Sequence, residues 1–523
     1  MPVRAASPRR AFPARTLLAA LMLAAATLAV FWPATDDGFV FDDRTYILEN
    51  SLLQQGFTRE GVLLSFLGAY ASNWHPITWL SHMADLALFG LDPRPHHAIN
   101  VLLHTVNAVL LLTLLRRWTG TLVPALLAAA IFALHPLRVE SVAWISERKD
   151  LLCGFFWLLA LHAHLGHARR PGRWRALLLA AAVVLALLSK PMAVTLPLAL
   201  VLVDYWPLGR LRTDPRAALL EKVPLLALAV LAGLMAISAQ RLDGAMRTLG
   251  EYPLGGRIAN AVLSLGLYLK KAFLPLDLAV FYPYHRLAPS DPRVLLAATV
   301  VIAVSVCALA LRRRTPWLAM GWCWYLLTVA PALGIIQVGD QALADRYTYL
   351  PLIGVTLAVA WEGARRWRLS PRGRAMLATM APAAVLVLAA LTRRELGYWD
   401  DPELLFRRAM AVTTQNWKAQ MLLGLALDDK GRTAEAEAEY RGALAINPES
   451  HEARFNLGAL LFESGRNAEA AAHLRAALAS RAVSGVAHGY AEQALRFIAR
   501  EEEGIRGAAP AEGTVSPGGG NLP

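Results

Sequence analysis

Leu17-Leu18-Ala19-Ala20-Leu21-Met22-Leu23-Ala24-Ala25-Ala26-Thr27-Leu28-Ala29-Val30-Phe31-Trp32 is a continuous apolar run, and Gly38-Phe39-Val40-Phe41-Asp42-Asp43-Arg44 follows it after a short link. The run approaches the ~20 residues a helix needs to cross a bilayer. It follows Arg4, Arg9, Arg10 and Arg15, exceeds the usual apolar region of a cleavable leader, and ends at Pro33, so it reads as an uncleaved first span. Asp42 and Asp43 then stand where the chain has just left the bilayer. Adjacent carboxylates repel, so one is expected to hold its proton more tightly than usual, a property suited to proton transfer. Asp36 and Asp37, nearer the span, read as ordinary loop acids.

Working outward, apolar runs recur at about 98–115, 121–134, 151–166, 175–189, 192–206, 219–238, 258–275, 294–311, 317–336, 348–362 and 375–392. The 523 residues are 56% hydrophobic and 17% charged, which is membrane-protein composition. The net charge of +13 does not point to nucleic acid, because arginines cluster between apolar runs, where they set topology and meet anionic lipid. Clusters at Arg116-Arg117, Arg169 to Arg175, Arg210 to Arg216, Arg312 to Arg314 and Arg365 to Arg374 are expected on the cytoplasmic side with the N-terminus. They agree with one another if 258–275, which carries Asn260, Lys270, Lys271 and Pro275, is an interfacial or re-entrant helix that does not cross the bilayer. The expectation is about eleven spans. The first outer loop, 33–97, lies along the surface, with Trp74 and Trp79 at headgroup level. Cys153, Cys307 and Cys323 lie in or beside apolar runs without a CxxC pair and read as packing residues.

Near Arg393 the pattern changes to alanine-rich helices with a 34-residue period. Leu423 and Leu457, Gly424 and Gly458, Ala436 and Ala470, Tyr440 and Leu474, and Ala443 and Ala477 correspond, and Phe406 and Ala409 begin a preceding half. Small residues where two helices touch, with large ones in the gaps, are the tetratricopeptide pattern. The expected fold is therefore all-α: a polytopic membrane domain over 1–396 and a short tetratricopeptide-repeat α-solenoid over 397–505. Full repeats fall at about 417–450 and 451–484, with a capping helix from 485. Residues 506–523 are Gly-, Pro- and Ala-rich and read as a disordered tail.

Gly38 to Asp43 with Asn50, Trp74-His75-Pro76-Ile77, His97 to Leu103 with His104, Leu134-His135-Pro136 through Glu140 to Asp150, Ser189-Lys190, and Asp345-Arg346-Tyr347-Thr348-Tyr349-Leu350-Pro351 occur in that order ahead of the repeats. In order and spacing the chain resembles the transmembrane and tetratricopeptide-repeat O-mannosyltransferases and their bacterial relatives, within the GT-C class of glycosyltransferases. The resemblance implies a polyprenyl-phosphate-linked sugar donor, an outward-facing site and transfer of mannose or a similar hexose to a hydroxyl, such as Ser or Thr of a protein. It also implies a multi-pass protein of a bacterial inner membrane with the repeats outside, recruiting the acceptor protein. Pro191-Met192 after Ser189-Lys190 departs from the family pattern, as does His75.

Transfer from a lipid phosphate needs a base for the acceptor hydroxyl and cations for the leaving phosphate. Asp42 and Asp43 are the candidate base. Arg346, Lys190, Arg148 and Lys149 are the candidate phosphate ligands, since arginine binds phosphate with parallel hydrogen bonds; Asp345 is expected to orient Arg346. Glu140, Trp74 and His75 are acceptor-loop candidates. Glu140 and Glu147, seven apart, would share a helix face, and structural pairing with Arg138, Arg148 or Lys149 is their competing role. His96, His97, His104, His135, His162, His164 and His167 offer no HExxH-type spacing, so neither metal nor cofactor is expected, although some GT-C enzymes use a divalent ion. Two other readings compete: a non-catalytic membrane scaffold that docks partner proteins on its repeats, and a lipid-carrier transporter or polymerase without a protein acceptor.

Overall fold

The computed structural model describes residues 14–502 apart from 69, 71–72, 243, 370 and 480–484. Arg4, Arg9, Arg10, the end of the second repeat and the 506–523 tail lie outside the described residues. The chain forms two compact units, one of Met1–Leu278 with Tyr284–Asp400, the other of Ala279–Pro283 with Asp401–Pro523.

The first unit is helical, and its apolar runs form its helices. Among the described residues five are long and apolar enough to cross a bilayer: Ala14–Asp36, Pro93–Thr119, Ile145–Arg169, Pro215–Arg241 and Pro292–Leu311. Leu122–Ala133 and Pro136–Ala143, bent by 60°, meet the same length and composition test only as a pair, in the manner of a broken span or a re-entrant loop. The other expected runs are also helical, but Arg173–Ser189, Leu196–Tyr205 and Pro316–Val329 have only 17, 10 and 14 residues, short for a perpendicular crossing. Leu295, Leu296, Ile302, Val306 and Leu309 lie exposed on one helix, as lipid contact requires, and the chain is an integral membrane protein.

The Leu254–Phe273 helix buries Arg257, Asn260, Ser264, Tyr268 and Lys271, which share one face, and exposes Leu254, Ile258 and Phe273.

Local chemistry sets the helix ends. Asp92 accepts from the Arg94 amide at 3.1 Å to start Pro93–Thr119, and Gly120, at φ 74°, ends it in the left-handed region that glycine tolerates. Pro316–Val329 and Pro351–Leu369 meet at Gly321 and Gly354, where a Cβ on either glycine would lie 2.3 Å from the other's carbonyl oxygen. Small residues permit this close approach of two helices. Buried polar contacts fix the Asp345–Pro351 segment: the Tyr349 hydroxyl meets His104 Nδ1 at 2.9 Å and Asn107 at 3.1 Å, and Arg138 donates to Thr348.

Trp74 and Trp79 correct the sequence reading. Both are buried, Trp79 within a core of Tyr46, Ile47, Leu52, Met83 and Ile145. The Trp74 indole donates to the Phe66 carbonyl at 2.9 Å. Packing inside the loop has turned these rings onto protein instead of lipid headgroups.

The second unit pairs Trp417–Asp429 with Thr433–Ile446 and His451–Glu463 with Asn467–Leu478, between Pro402–Val412 and Gly485–Glu502. A Cβ on Gly424 would lie 2.7 Å from the Tyr440 ring, and one on Gly458 would lie 2.9 Å from the Leu474 side chain. The 34-residue sequence period is therefore a period of helix contacts. Ion pairs repeat with it: Arg432 holds Glu403 at 2.9 Å, and Arg466 holds Glu437 at 2.8 Å.

Candidate functional site: a buried charge cluster behind the paired acids

The Gly38–Arg44 stretch turns sharply. Phe41 adopts φ 52°, rare for a residue with a side chain, and its ring stacks on Trp144 with centroids 5.0 Å apart. Such backbone is held only when its surroundings enforce it. The turn separates the two acids. Asp43 is fully buried and accepts from the Val40 amide at 3.1 Å, the Ser146 amide at 2.8 Å and the Ser146 hydroxyl. Burial pushes its carboxyl up to about 7, while those three donors favour the ionised form. Asp42 is half-buried, and its charge, with those of Glu147, Lys190 and Arg346, acts on the buried Tyr46 hydroxyl. Asp36 pairs with Arg94 at the surface. Asp37 is pushed up to about 7, by burial first and then by Asp400 and Asp36.

Beside Tyr46 lies a buried network of three cations and three acids. Glu147 is its hub, 2.9 Å from Lys149, 3.3 Å from Lys190 and 3.2 Å from Arg346. Lys190 also meets Asp150 at 2.7 Å, and Arg346 pairs with Glu140 through both its guanidinium and its backbone amide. Aromatic faces complete the enclosure: Lys149 sits 4.5 Å above the Tyr46 ring, and Arg346 lies 5.2 Å from Trp144 and 5.0 Å from Tyr347. The cations keep about a tenth of their side chains exposed, and half-buried Tyr347 and Gln341 flank Arg346.

Three of the four expected phosphate ligands thus come together. Arg148 does not join them. It is fully buried and bonds to Asp85, to Asn100 at 2.8 Å, to the His96 carbonyl at 2.8 Å and to Ser81 at 3.2 Å. The next residue on its helix faces another way, so Lys149 enters the cluster. Glu140 meets Arg346, but Glu140 and Glu147 do not share one helix: the helix stops at Ala143, and Trp144 is extended. Asp345 pairs with Lys271 at 3.3 Å, leaving Glu140 to orient Arg346. His75 packs against Trp79, ring centroids 4.4 Å apart, and burial, then the nearby Lys149 charge, hold its imidazole neutral. Tyr46 and Ser146 were not singled out from sequence. The signal for Tyr46 was its place four residues after Asp42, whose carbonyl accepts from its amide at 2.8 Å; nothing local marks Ser146.

The tetratricopeptide repeat family matches residues 387–451 and 421–485. Protein O-mannosyl-transferase Tmtc1 of Drosophila melanogaster is 34% identical over 34% of this chain and 22% of its own length. Protein O-mannosyl-transferase F38B6.6 of Caenorhabditis elegans is 24% identical over 76% of this chain and 58% of its own. The alignments thus span about a fifth of the fly protein and somewhat over half of the nematode one. Among solved structures, ArnT from Cupriavidus metallidurans, bound to undecaprenyl phosphate, aligns over 82% of this chain and 73% of its own at 15% identity and a TM-score of 0.39. The resemblance read from the sequence recurs in these comparisons: the chain is similar to protein O-mannosyl-transferases and carries tetratricopeptide repeats.

Proposed function

We propose that the protein is a membrane glycosyltransferase that moves a hexose such as mannose from a polyprenyl-phosphate carrier to the hydroxyl of a protein acceptor. The observation that carries this reading is the convergence of Lys149, Lys190 and Arg346 beside the loop acids, together with the similarity to protein O-mannosyl-transferases. Asp42 takes the proton of the acceptor hydroxyl. The hydroxyl oxygen bonds to the anomeric carbon as the bond to the phosphate oxygen breaks, and the phosphate leaves with the electron pair toward the cations. Asp43, held by Ser146 and Val40, positions the turn.

The cluster is electrically balanced, three cations against Glu140, Glu147 and Asp150. A phosphate therefore competes with these carboxylates, and its binding goes with release or protonation of one of them. The cytoplasmic side is assigned from the arginine clusters, which puts the site and repeats on the outer face of a bacterial inner membrane. The repeats recruit the acceptor protein, as helical arrays do with extended segments.

The test is transfer by the purified full chain in lipid nanodiscs, with polyprenyl-phosphate mannose and nucleotide-linked mannose offered in parallel to a mixture of unfolded and folded acceptor proteins. Incorporation from the lipid-linked donor alone is expected. Incorporation from the nucleotide donor alone, or none from any lipid-linked hexose, overturns the reading.

A further inference from the structure

His82, Asp85 and His96 meet away from the charge cluster, with one potential ligand atom from each inside a mutual distance of 4.8 Å. His82 and Asp85 lie one turn apart on the Pro76–Phe89 helix, so they share a face, and His96 comes from the first turn of Pro93–Thr119. All three are buried.

Two features ask for a cation. The first is His82: both ring nitrogens are buried and have no hydrogen-bond partner among the described residues. A buried polar group left unpaired is costly, and buried groups ordinarily find partners. The second is His96. Its Nε2 lies 3.0 Å from the Gly90 carbonyl, which can only accept, so Nε2 carries the proton. In the neutral ring Nδ1 then presents a lone pair, and it faces an Asp85 carboxylate oxygen at 3.4 Å. Two acceptors at that distance repel unless a proton or a metal ion lies between them.

We infer that His82, Asp85 and His96 bind a zinc-class divalent ion that clamps the Pro76–Phe89 helix to the start of Pro93–Thr119. Two imidazole nitrogens and one carboxylate oxygen form a three-ligand zinc set, with a fourth position for water. Ligands about 2.0–2.1 Å from a tetrahedral ion stand about 3.3–3.5 Å apart, and the His96–Asp85 separation of 3.4 Å already matches. The three ligand atoms lie within 4.8 Å of one another, so His82 must draw closer when the ion binds. The Gly90 carbonyl behind His96 orients that ring from outside, as outer partners of metal sites do, while Arg148 bonds to the same Asp85 oxygen that faces His96 and must share it with the ion. Because Asp85 is shared with Arg148, the ion's charge is only partly offset, so its affinity falls below that of a closed thiolate site. The same helix carries Trp79, which packs on Tyr46, so the clamp would steady the loop that bears Asp42. The inference stands independently of the transferase reading.

The full chain, purified without a polyhistidine tag, is stripped with chelator and dialysed against Zn2+ or Co2+. Elemental analysis is expected to find about one ion per chain, with visible absorption of a four- or five-coordinate nitrogen–oxygen Co2+ site. His82→Gln is expected to lose the ion while remaining folded by circular dichroism, since His82 has no hydrogen-bond partner among the described residues to lose. Folded wild type that holds no ion, or a folded His82→Gln with undiminished metal, overturns the proposal. Should His82→Gln not fold, the wild-type Co2+ spectrum decides: nitrogen–oxygen bands uphold the site, and the octahedral aquo spectrum refutes it.

Discussion

Glu147 in the membrane unit and Glu437 in the repeat unit each hold basic side chains at about hydrogen-bonding distance. Glu147 binds Lys149, Lys190 and Arg346 with 2% of its side chain exposed. Glu437 binds Arg441 and Arg466 at 2.8 Å, and those arginines are 42% and 45% exposed. The same chemical pair therefore works in two regimes. In water the charges are screened and the pair contributes little; out of water each charge depends on its partners, and the set stands or falls together. The repeats are held by shape, with glycines admitting Tyr440 and Leu474. The membrane unit buries charge in several sets, Arg148 with Asp85 and Lys271 with Asp345 among them, and the set behind Asp42 and Asp43 joins three cations to one carboxylate.

The comparison breaks first at its hub. Glu147→Gln leaves three cations facing two acids, and loss of one partner from a buried charged set costs about 3–5 kcal/mol. The expected outcome is poor recovery of folded protein and a large drop in thermal midpoint; a wild-type midpoint would mean that water reaches the cluster. In the repeats the sensitive position is a contact instead. Gly424→Ala drives a Cβ to 2.7 Å from the Tyr440 ring, and overpacking of this kind costs about 1–3 kcal/mol, to be read by chemical denaturation of the repeat unit's helical signal.

A subtler effect concerns Asp43. Its folded-state value of about 7 lies above the ordinary 3.8, so the protonated carboxyl contributes stability fully below about pH 3.8 and loses it as pH rises through 7. Ser146→Ala removes a donor that favours the carboxylate, so the upper edge of this window should move up by roughly half to one pH unit. Thermal midpoints of both proteins across pH 5–9 measure it; coincident profiles would remove the Ser146 hydroxyl from the balance. The smallest effect is expected for Arg466→Gln, with a midpoint within about 2 °C of wild type and little response to salt. A larger loss would show that the exposed ladder, like Glu147, works as a network.

The sequence carried local and periodic information well. The 34-residue repeat paired Gly424 with Gly458, and the apolar runs located the helices of the first unit. Residues paired across long separations were less legible. Arg148 looked like Lys149 in sequence, but its partner Asp85 is 63 residues away and took it out of the cluster. Ser146 reaches Asp43 across 103 residues, and Glu140 reaches Arg346 across 206. Trp79 read as an interface ring because aromatic residues after a span usually are; packing on Tyr46 made it core. His82 and Asp85 were close in sequence, but His96 completes the trio only through the turn at Gly90.

The account rests on Asp42 as the base and on the cluster as the phosphate site. Its most direct test is initial-rate transfer from polyprenyl-phosphate mannose by wild type and Asp42→Asn, each shown to be folded, with donor binding measured separately. The account predicts a 10²–10⁴-fold fall in turnover with donor affinity retained, the range general bases contribute. Unchanged turnover in the folded variant would contradict it.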